Sequence, residues 1–198
     1  MKIGEYRCYV FDLDGTLFTI PVDWHAVRRA LSTAIGEEIG GTPLFLKLGE
    51  VIASRPSLRE TMFSVIESYE LRATEAAKPT QGASELLYSL FEVAKLALVT
   101  LQGKRVTDDI LRRHKLADLF EVEVTREDSI DRAEQILLAM NRLGAKPAEV
   151  LFTGDRLNDV VSARRIGVDV ALVGRPQTTD PKPNYSFPSL AELKAYLG

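Results

Sequence analysis

The chain has 198 residues, 45% hydrophobic and 27% charged, with a formal net charge of -3. That length accommodates one sizeable core, or one domain carrying a smaller second one, and the composition is that of an ordinary globular protein. No stretch gathers Lys and Arg as nucleic acid or an anionic membrane would require, and no window approaches the length of a membrane span, so neither partner is expected. The single cysteine, Cys8, cannot form an internal disulfide, and Met1-Lys2-Ile3-Gly4-Glu5-Tyr6-Arg7 lacks the layout of a secretory signal. A cytoplasmic location is the simplest expectation, and oligomeric state has no signature.

Tyr9-Val10-Phe11 reads as the end of a buried strand that runs into two carboxylates, Asp12 and Asp14, with Gly15 and Thr16 opening a turn. From about Asp23 to Ala77 the periodicity is helical, with no strand candidate. Asp23 can cap a helix in which Trp24, Val27 and Leu31 share a face; Gly36 and Gly40-Gly41 punctuate it. A second helix, Leu44 to Ile52, stops before Pro56, and a third runs from Leu58 to about Ala76. A structureless loop of about sixty residues is implausible, so this block is expected to be a helical insertion, with Pro79 and Gly82 marking the return.

Beyond it the chain alternates. A helix from about Ala83 to Glu92 precedes a buried strand ending at Thr100, then a loop and a helix from Val106 to His114. Glu121 to Thr125 is a short third strand near an edge, followed by a helix whose Ile136, Met140 and Leu143 share a face and which Gly144 ends. Glu149 to Thr153 is a fourth strand, a helix runs to Ile166, and Val168 to Val173 is a fifth strand. The tail, with Pro176, Pro181, Pro183 and Pro188, is expected to be loose before a short helix from Ser189 to Leu197. Alternation of this kind predicts a Rossmann-like parallel α/β sheet flanked by helices.

In such a sheet ligands bind outside the carboxyl ends of the strands. The first strand ends in Asp12 and Asp14, the second in Thr100, and the fourth in Thr153-Gly154-Asp155 with Asp159 four residues on. These oxygen ligands suit a small hard cation such as Mg²⁺ better than zinc. Thr100 and backbone N–H groups near the start of the following helix can hold a phosphate.

The strand-end Asp-x-Asp-Gly-Thr, the threonine after the second strand and the Gly-Asp-x-x-Asn-Asp after the fourth resemble the signature of the haloacid dehalogenase superfamily. The resemblance implies a sheet ordered 5-4-1-2-3, a core of residues 1–17 and 81–198, and a helical cap domain of residues 18–80. It implies a phosphatase acting on a small-molecule phosphomonoester, with Asp12 as nucleophile and Asp14 as general acid and base. Asp12, the Asp14 backbone carbonyl and Asp155 are then implied as Mg²⁺ ligands, Asp159 as a ligand or a partner to metal-bound water, and Thr100 as a donor to a phosphoryl oxygen. Asp14 argues against carbon–halogen cleavage, since halide leaves without a proton.

The chain departs from the family pattern twice. There is no lysine between Lys115 and Lys146, where the family places one, and Arg132, with Arg126 behind it, is the expected substitute. Leu101 stands where a polar residue commonly follows the threonine, so Gln102 or backbone amides are expected to compensate at the phosphate. His25 and His114 lie on helix patterns away from the strand ends. Trp24, Phe45, Phe63 and Tyr69 suit either a pocket lining or the core, and Lys47 suits either a Schiff base or a solvated helix face. The alternatives left open are a phosphomutase or phosphonate hydrolase, and a non-catalytic phosphate-binding or regulatory module. A receiver-like phosphoacceptor is disfavoured by the helical insertion and the acidic cluster after the fourth strand.

Overall fold

The structure, a computed structural model, describes residues 5–40, 43–174 and 180–197. The first four residues of the signal-like comparison, the punctuation at Gly41 and the tail proline Pro176 lie outside them. The strands are β1 (Cys8–Phe11), β2 (Phe18–Thr19), β3 (Lys78–Pro79), β4 (Lys95–Val99), β5 (Val122–Val124), β6 (Val150–Gly154), β7 (Asp169–Val173) and β8 (Tyr185–Phe187). The helices are α1 (Trp24–Ile35), α2 (Leu44–Ser54), α3 (Arg59–Ala73), α4 (Ala83–Phe91), α5 (Lys104–Arg113), α6 (Arg132–Leu143), α7 (Leu157–Arg165) and α8 (Leu190–Leu197). Among the described residues no helix is long and apolar enough to cross a membrane.

The main sheet is ordered β5-β4-β1-β6-β7-β8, and each neighbouring pair is parallel. Its first five strands, read from β7, have the order 5-4-1-2-3. The sixth strand is a correction, because the tail was expected to be loose. Three residues are too few for alternation to show in a sequence; here Asn184 exchanges backbone and side-chain bonds with Val170, and Phe187 packs on Tyr196.

Strand alternation divides the core. Tyr9 and Phe11 join Leu86, Ile110 and Leu193 of α4, α5 and α8 on one face, while Cys8 and Val10 join Ile136, Met140 and Val160 of α6 and α7 on the other. Both faces are thus covered, which is why these strands are almost wholly apolar.

Helices α1 to α3 enclose an apolar cluster of their own, including Val27, Leu31, Leu48 and Ile66. The Asp23 carboxylate accepts from the Ala26 N–H (2.9 Å) and caps α1. The chain leaves and re-enters the core at one place, because β2 and β3 pair antiparallel with Phe18 opposite Pro79. That pairing was not expected, since Lys78-Pro79 reads only as a linker.

Leu31 has no exposed surface at the centre of the helical cluster. Leu31→Ala is expected to lower the unfolding free energy by about 3 kcal/mol, read as a fall in the urea midpoint.

Candidate active site

Asp12 continues β1, its N–H donating to the Thr153 carbonyl (3.0 Å), so Asp12 and Asp155 emerge side by side from adjacent parallel strands. The chain then turns sharply: Gly15 has φ +92°, and its N–H donates to the Phe18 carbonyl. A Cβ at Gly15 would fall on the Asp155 carboxylate, so both the turn and the close approach of the two strand ends require glycine there. Thr16 sits between the acids, its hydroxyl 3.4 Å from Asp12 Oδ2 and 3.4 Å from Asp155 Oδ1.

One oxygen from each of Asp12, Asp155 and Asp159 lies within 4.8 Å of the others. The Asp14 carboxylate is not part of that group; it accepts from the Ile20 N–H (3.1 Å). An all-oxygen, anionic donor set of this kind fits a hard divalent cation.

Arg132 enters from the first turn of α6 and is 7% exposed. One terminal nitrogen donates to Asp12 Oδ1 (2.6 Å), the other to the Val99 carbonyl (2.9 Å) and Gln135 Oε1 (3.0 Å), and Nε lies 3.1 Å from Asp159 Oδ1. Gln135 in turn donates to the carbonyls of Thr100 (2.7 Å) and Ser129 (2.8 Å). Sequence reasoning missed Gln135. Its only signal is the three-residue spacing from Arg132 on one helix, which puts both side chains on one face.

Arg126 is the expectation that the structure redirects. It is fully buried, but its guanidinium forks onto Glu70 of α3 (2.7 and 3.0 Å), away from the acidic group. A buried cation goes to the nearest uncompensated carboxylate, and Asp12 already has Arg132.

Thr100 is buried, and its Oγ accepts from the Gln102 N–H (3.1 Å). The Leu101 N–H has no hydrogen-bond partner among the described residues, and Gln102 Oε1 is buried without one. A cavity of about 790 Å³ opens over these groups. Its floor includes Asp12, Asp14, Thr100, Leu101, Gln102, Arg132 and Asp159; its far side includes Trp24, Arg28 and Phe45 from the inserted helices. Arg156 and Arg165 are on its rim. Phe63 and Tyr69 are elsewhere, beneath the guanidinium groups of Arg59 and Arg72. Lys47 pairs with Glu37 (2.9 Å), His25 is exposed, and His114 packs on Phe18 (4.8 Å between ring centres).

Burial pushes the Asp12 carboxyl up to about 7; Arg132 opposes that rise, and Asp159, Asp155 and Asp14 add to it. Burial and Asp159 push Asp155 up to about 6. Burial raises Asp14 as well, against the Ile20 N–H.

Crowded carboxylates at the carboxyl edge of a parallel sheet, braced by a buried guanidinium and roofed by helices, define an α/β protein with an anionic, oxygen-lined centre. The family described as haloacid dehalogenase-like hydrolase matches residues 44–173. Among curated relatives, pyrophosphatase PpaX of Bacillus cereus is 30% identical, the match covering 100% of this chain and 97% of that protein. N-acetylmuramic acid 6-phosphate phosphatase of Pseudomonas aeruginosa is 26% identical, over 87% and 84%. Among solved structures, a haloacid dehalogenase-like hydrolase of Streptococcus pneumoniae superposes with a TM-score of 0.74 at 18% identity, over 98% and 99% of the two chains. A phosphatase of Thermococcus onnurineus gives 0.69 at 25%, over 97% and 98%. The chain belongs to the haloacid dehalogenase-like hydrolases, and it is a hydrolase of the phosphatase type.

A carboxyl whose folded pKa lies above its unfolded value stabilises the fold while protonated, and that stability is lost as pH rises through the folded pKa. Metal-free protein should therefore lose stability between about pH 4, the unfolded value, and pH 7, where Asp155 and Asp12 titrate. Cation binding needs the ionised acids. Added Mg²⁺ should then raise Tm more at about pH 8 than at about pH 5.5, and Arg132→Ala should extend the loss of stability of the metal-free protein to higher pH. Thermal melts with and without Mg²⁺ across that range check this, and an increment independent of pH would contradict it.

Proposed function

We propose that the protein is a Mg²⁺-dependent phosphatase that hydrolyses a small phosphomonoester through a phosphoryl group carried on Asp12. The observation that carries this reading is the convergence of Asp12, Asp155 and Asp159 on one point with Arg132 2.6 Å from Asp12. A cation at that position, held by Asp12, Asp155, Asp159 and the Asp14 carbonyl, would offset the charge between a carboxylate nucleophile and an anionic phosphate.

Asp12 Oδ attacks phosphorus and the ester P–O bond breaks, the departing oxygen taking a proton from Asp14. Water then attacks the phosphoryl group and gives a proton to Asp14, which frees the Asp12 carboxylate and inorganic phosphate. The raised pKa of Asp14 suits the first of these proton transfers, because the group must be an acid when the ester binds. The Thr100 hydroxyl, the Leu101 N–H and the Gln102 carboxamide face the phosphoryl oxygens. Arg132 supplies the positive charge that the family takes from lysine, and this favours turnover over a non-catalytic binding module. Lys47, paired with Glu37 and absent from the cavity lining, gives no support to Schiff-base chemistry on a phosphonate.

In this reading residues 1–17 and 81–198 form the catalytic core, and residues 18–80 act as a cap that excludes water when the substrate is bound. The organic part of the substrate lies against Trp24 and Phe45, with Arg28 disposed to meet an anionic substituent. The relatives are named for pyrophosphate and for N-acetylmuramic acid 6-phosphate, two chemically different substrates. Their names therefore support the phosphate and leave the choice of substrate to these cap residues.

Phosphate release from a panel of phosphomonoesters should require Mg²⁺, and Asp12→Asn should lower kcat by about a thousandfold or more. A silent wild type, or a fully active Asp12→Asn, would overturn the reading. On the same panel Asp14→Asn should slow alkyl phosphates by about a hundredfold but p-nitrophenyl phosphate much less, because nitrophenolate leaves without a proton. Equal loss on both would remove Asp14 from the acid role.

A further inference from the structure

The geometry points to Arg126 and Glu70 as positioning residues: a buried strut, one end on α3, that holds the phosphate-facing loop Thr100–Gly103 in shape. This rests on the phosphatase reading above and concerns residues that the reading itself does not use.

Both side chains have no exposed surface. Arg126 Nη1 and Nη2 fork onto Glu70 Oε1 (2.7 Å) and Oε2 (3.0 Å), and the guanidinium lies 5.1 Å from the centre of the Phe63 ring. The pair's other hydrogen bonds go to one loop, while Arg126 Nε has no partner among the described residues. Arg126 Nη1 also donates to the Leu101 carbonyl (3.0 Å), the Arg126 N–H donates to the Gln102 carbonyl (3.3 Å), and Glu70 Oε2 accepts from the Gly103 N–H (3.4 Å).

Taken peptide by peptide, these bonds immobilise the loop. In the Leu101–Gln102 peptide the carbonyl is held by Arg126 and the N–H by Thr100 Oγ (3.1 Å). In the Gln102–Gly103 peptide the carbonyl is held by the Arg126 backbone and the N–H by Glu70. Two consecutive peptide planes are thus fixed at both ends. The Thr100 carbonyl is held from the other side by Gln135 (2.7 Å). Among the described residues the Leu101 N–H has no partner, and it borders the cavity as an amide meant for a ligand oxygen would. The absence of a side chain at Gly103 makes room for the strut, because a Cβ there would lie 2.8 Å from Arg126 Nη2.

Stability alone is a poor explanation of this pair. Removing two charges from water costs about as much as their attraction returns, and well-packed apolar residues often serve as well. What apolar residues cannot supply is the charged pair that holds the Leu101 carbonyl on the guanidinium and the Gly103 N–H on the Glu70 carboxylate. Because Glu70 belongs to α3, the loop takes its shape only with that helix seated, so phosphate binding and the placement of the inserted helices are tied together.

The test compares the parent with Arg126→Met/Glu70→Leu, which refills the volume without stranding a charge, and with Glu70→Gln, which keeps the shape and loses the ion pair. Three quantities are read: the urea midpoint, amide hydrogen exchange over residues 100–107, and the affinity of the Mg²⁺-loaded protein for inorganic phosphate. The double variant is expected to fold, to exchange the Gln102 and Gly103 amides faster, and to bind phosphate at least about tenfold more weakly, with KM rising alongside. Arg126→Lys, which has no fork, should fail to restore phosphate affinity. Unchanged exchange in a folded variant overturns the proposal, as does faster exchange with unchanged phosphate affinity. A parent that binds phosphate yet hydrolyses no ester fails the phosphatase reading instead, and exchange and phosphate binding still decide the role of the pair.

Discussion

Arg132 serves two buried carboxylates with one guanidinium, Asp12 at 2.6 Å and Asp159 at 3.1 Å, in a place from which water is almost excluded. Like charges crowded in a low dielectric repel strongly, and burial already raises Asp12 and Asp155. Three carboxylates against one buried guanidinium leave two formal negative charges, the complement of one divalent cation, with the exposed Arg156 reaching Asp155 only at 3.8 Å. Arg132 therefore makes the cluster tolerable without neutralising it. A second fixed cation in the group would fill the electrostatic role that a metal plays in phosphoryl transfer.

That arrangement depends on the parallel sheet. β1 and β6 are neighbours in register, Phe11 beside Thr153, so residues 142 positions apart in the chain leave the sheet at one level. Arg132 reaches Asp12 across a separation of 120 residues because α6 packs on the face of β4 and β1, and the Val99 carbonyl at the end of β4 accepts from it. Gln135, one turn further on, accepts from Arg132 and donates to Thr100. The cation and the threonine are consequently fixed by one side chain, and neither can reorient without the other.

The acids were legible in the sequence because they lie at the ends of apolar runs long enough to read as buried strands, and a parallel sheet gathers such ends at one edge. The sixth strand was not, since Tyr185 to Phe187 is short and follows a proline-rich run. The two arginines show where reading from sequence stops. Arg126 and Arg132 differ by six positions, and both precede or open the same helix. What separates them is a partner 56 residues from Arg126 in the inserted helices, and nothing in local periodicity marks Glu70 as that partner. Helical spacing likewise could not separate Trp24 and Phe45, which line the cavity, from Phe63 and Tyr69, which lie under arginines.

The inserted helices combine two properties that pull against each other. They have an apolar cluster of their own and join the core through the short β2–β3 pair, which favours movement as a body. Yet α3 also lodges a fully buried carboxylate against Arg126 and the loop Thr100–Gly103. A body that moved as a whole would have to draw Glu70 out of that pocket and leave the Arg126 charge uncompensated, a change costing several kcal/mol. Motion that leaves Glu70 seated is therefore cheaper than motion that withdraws it, and α1, packed on α3, shares that constraint. α3 is thus anchored to the loop Thr100–Gly103 through Glu70, whereas the cavity-lining Trp24, Arg28 and Phe45 stand on the other two helices.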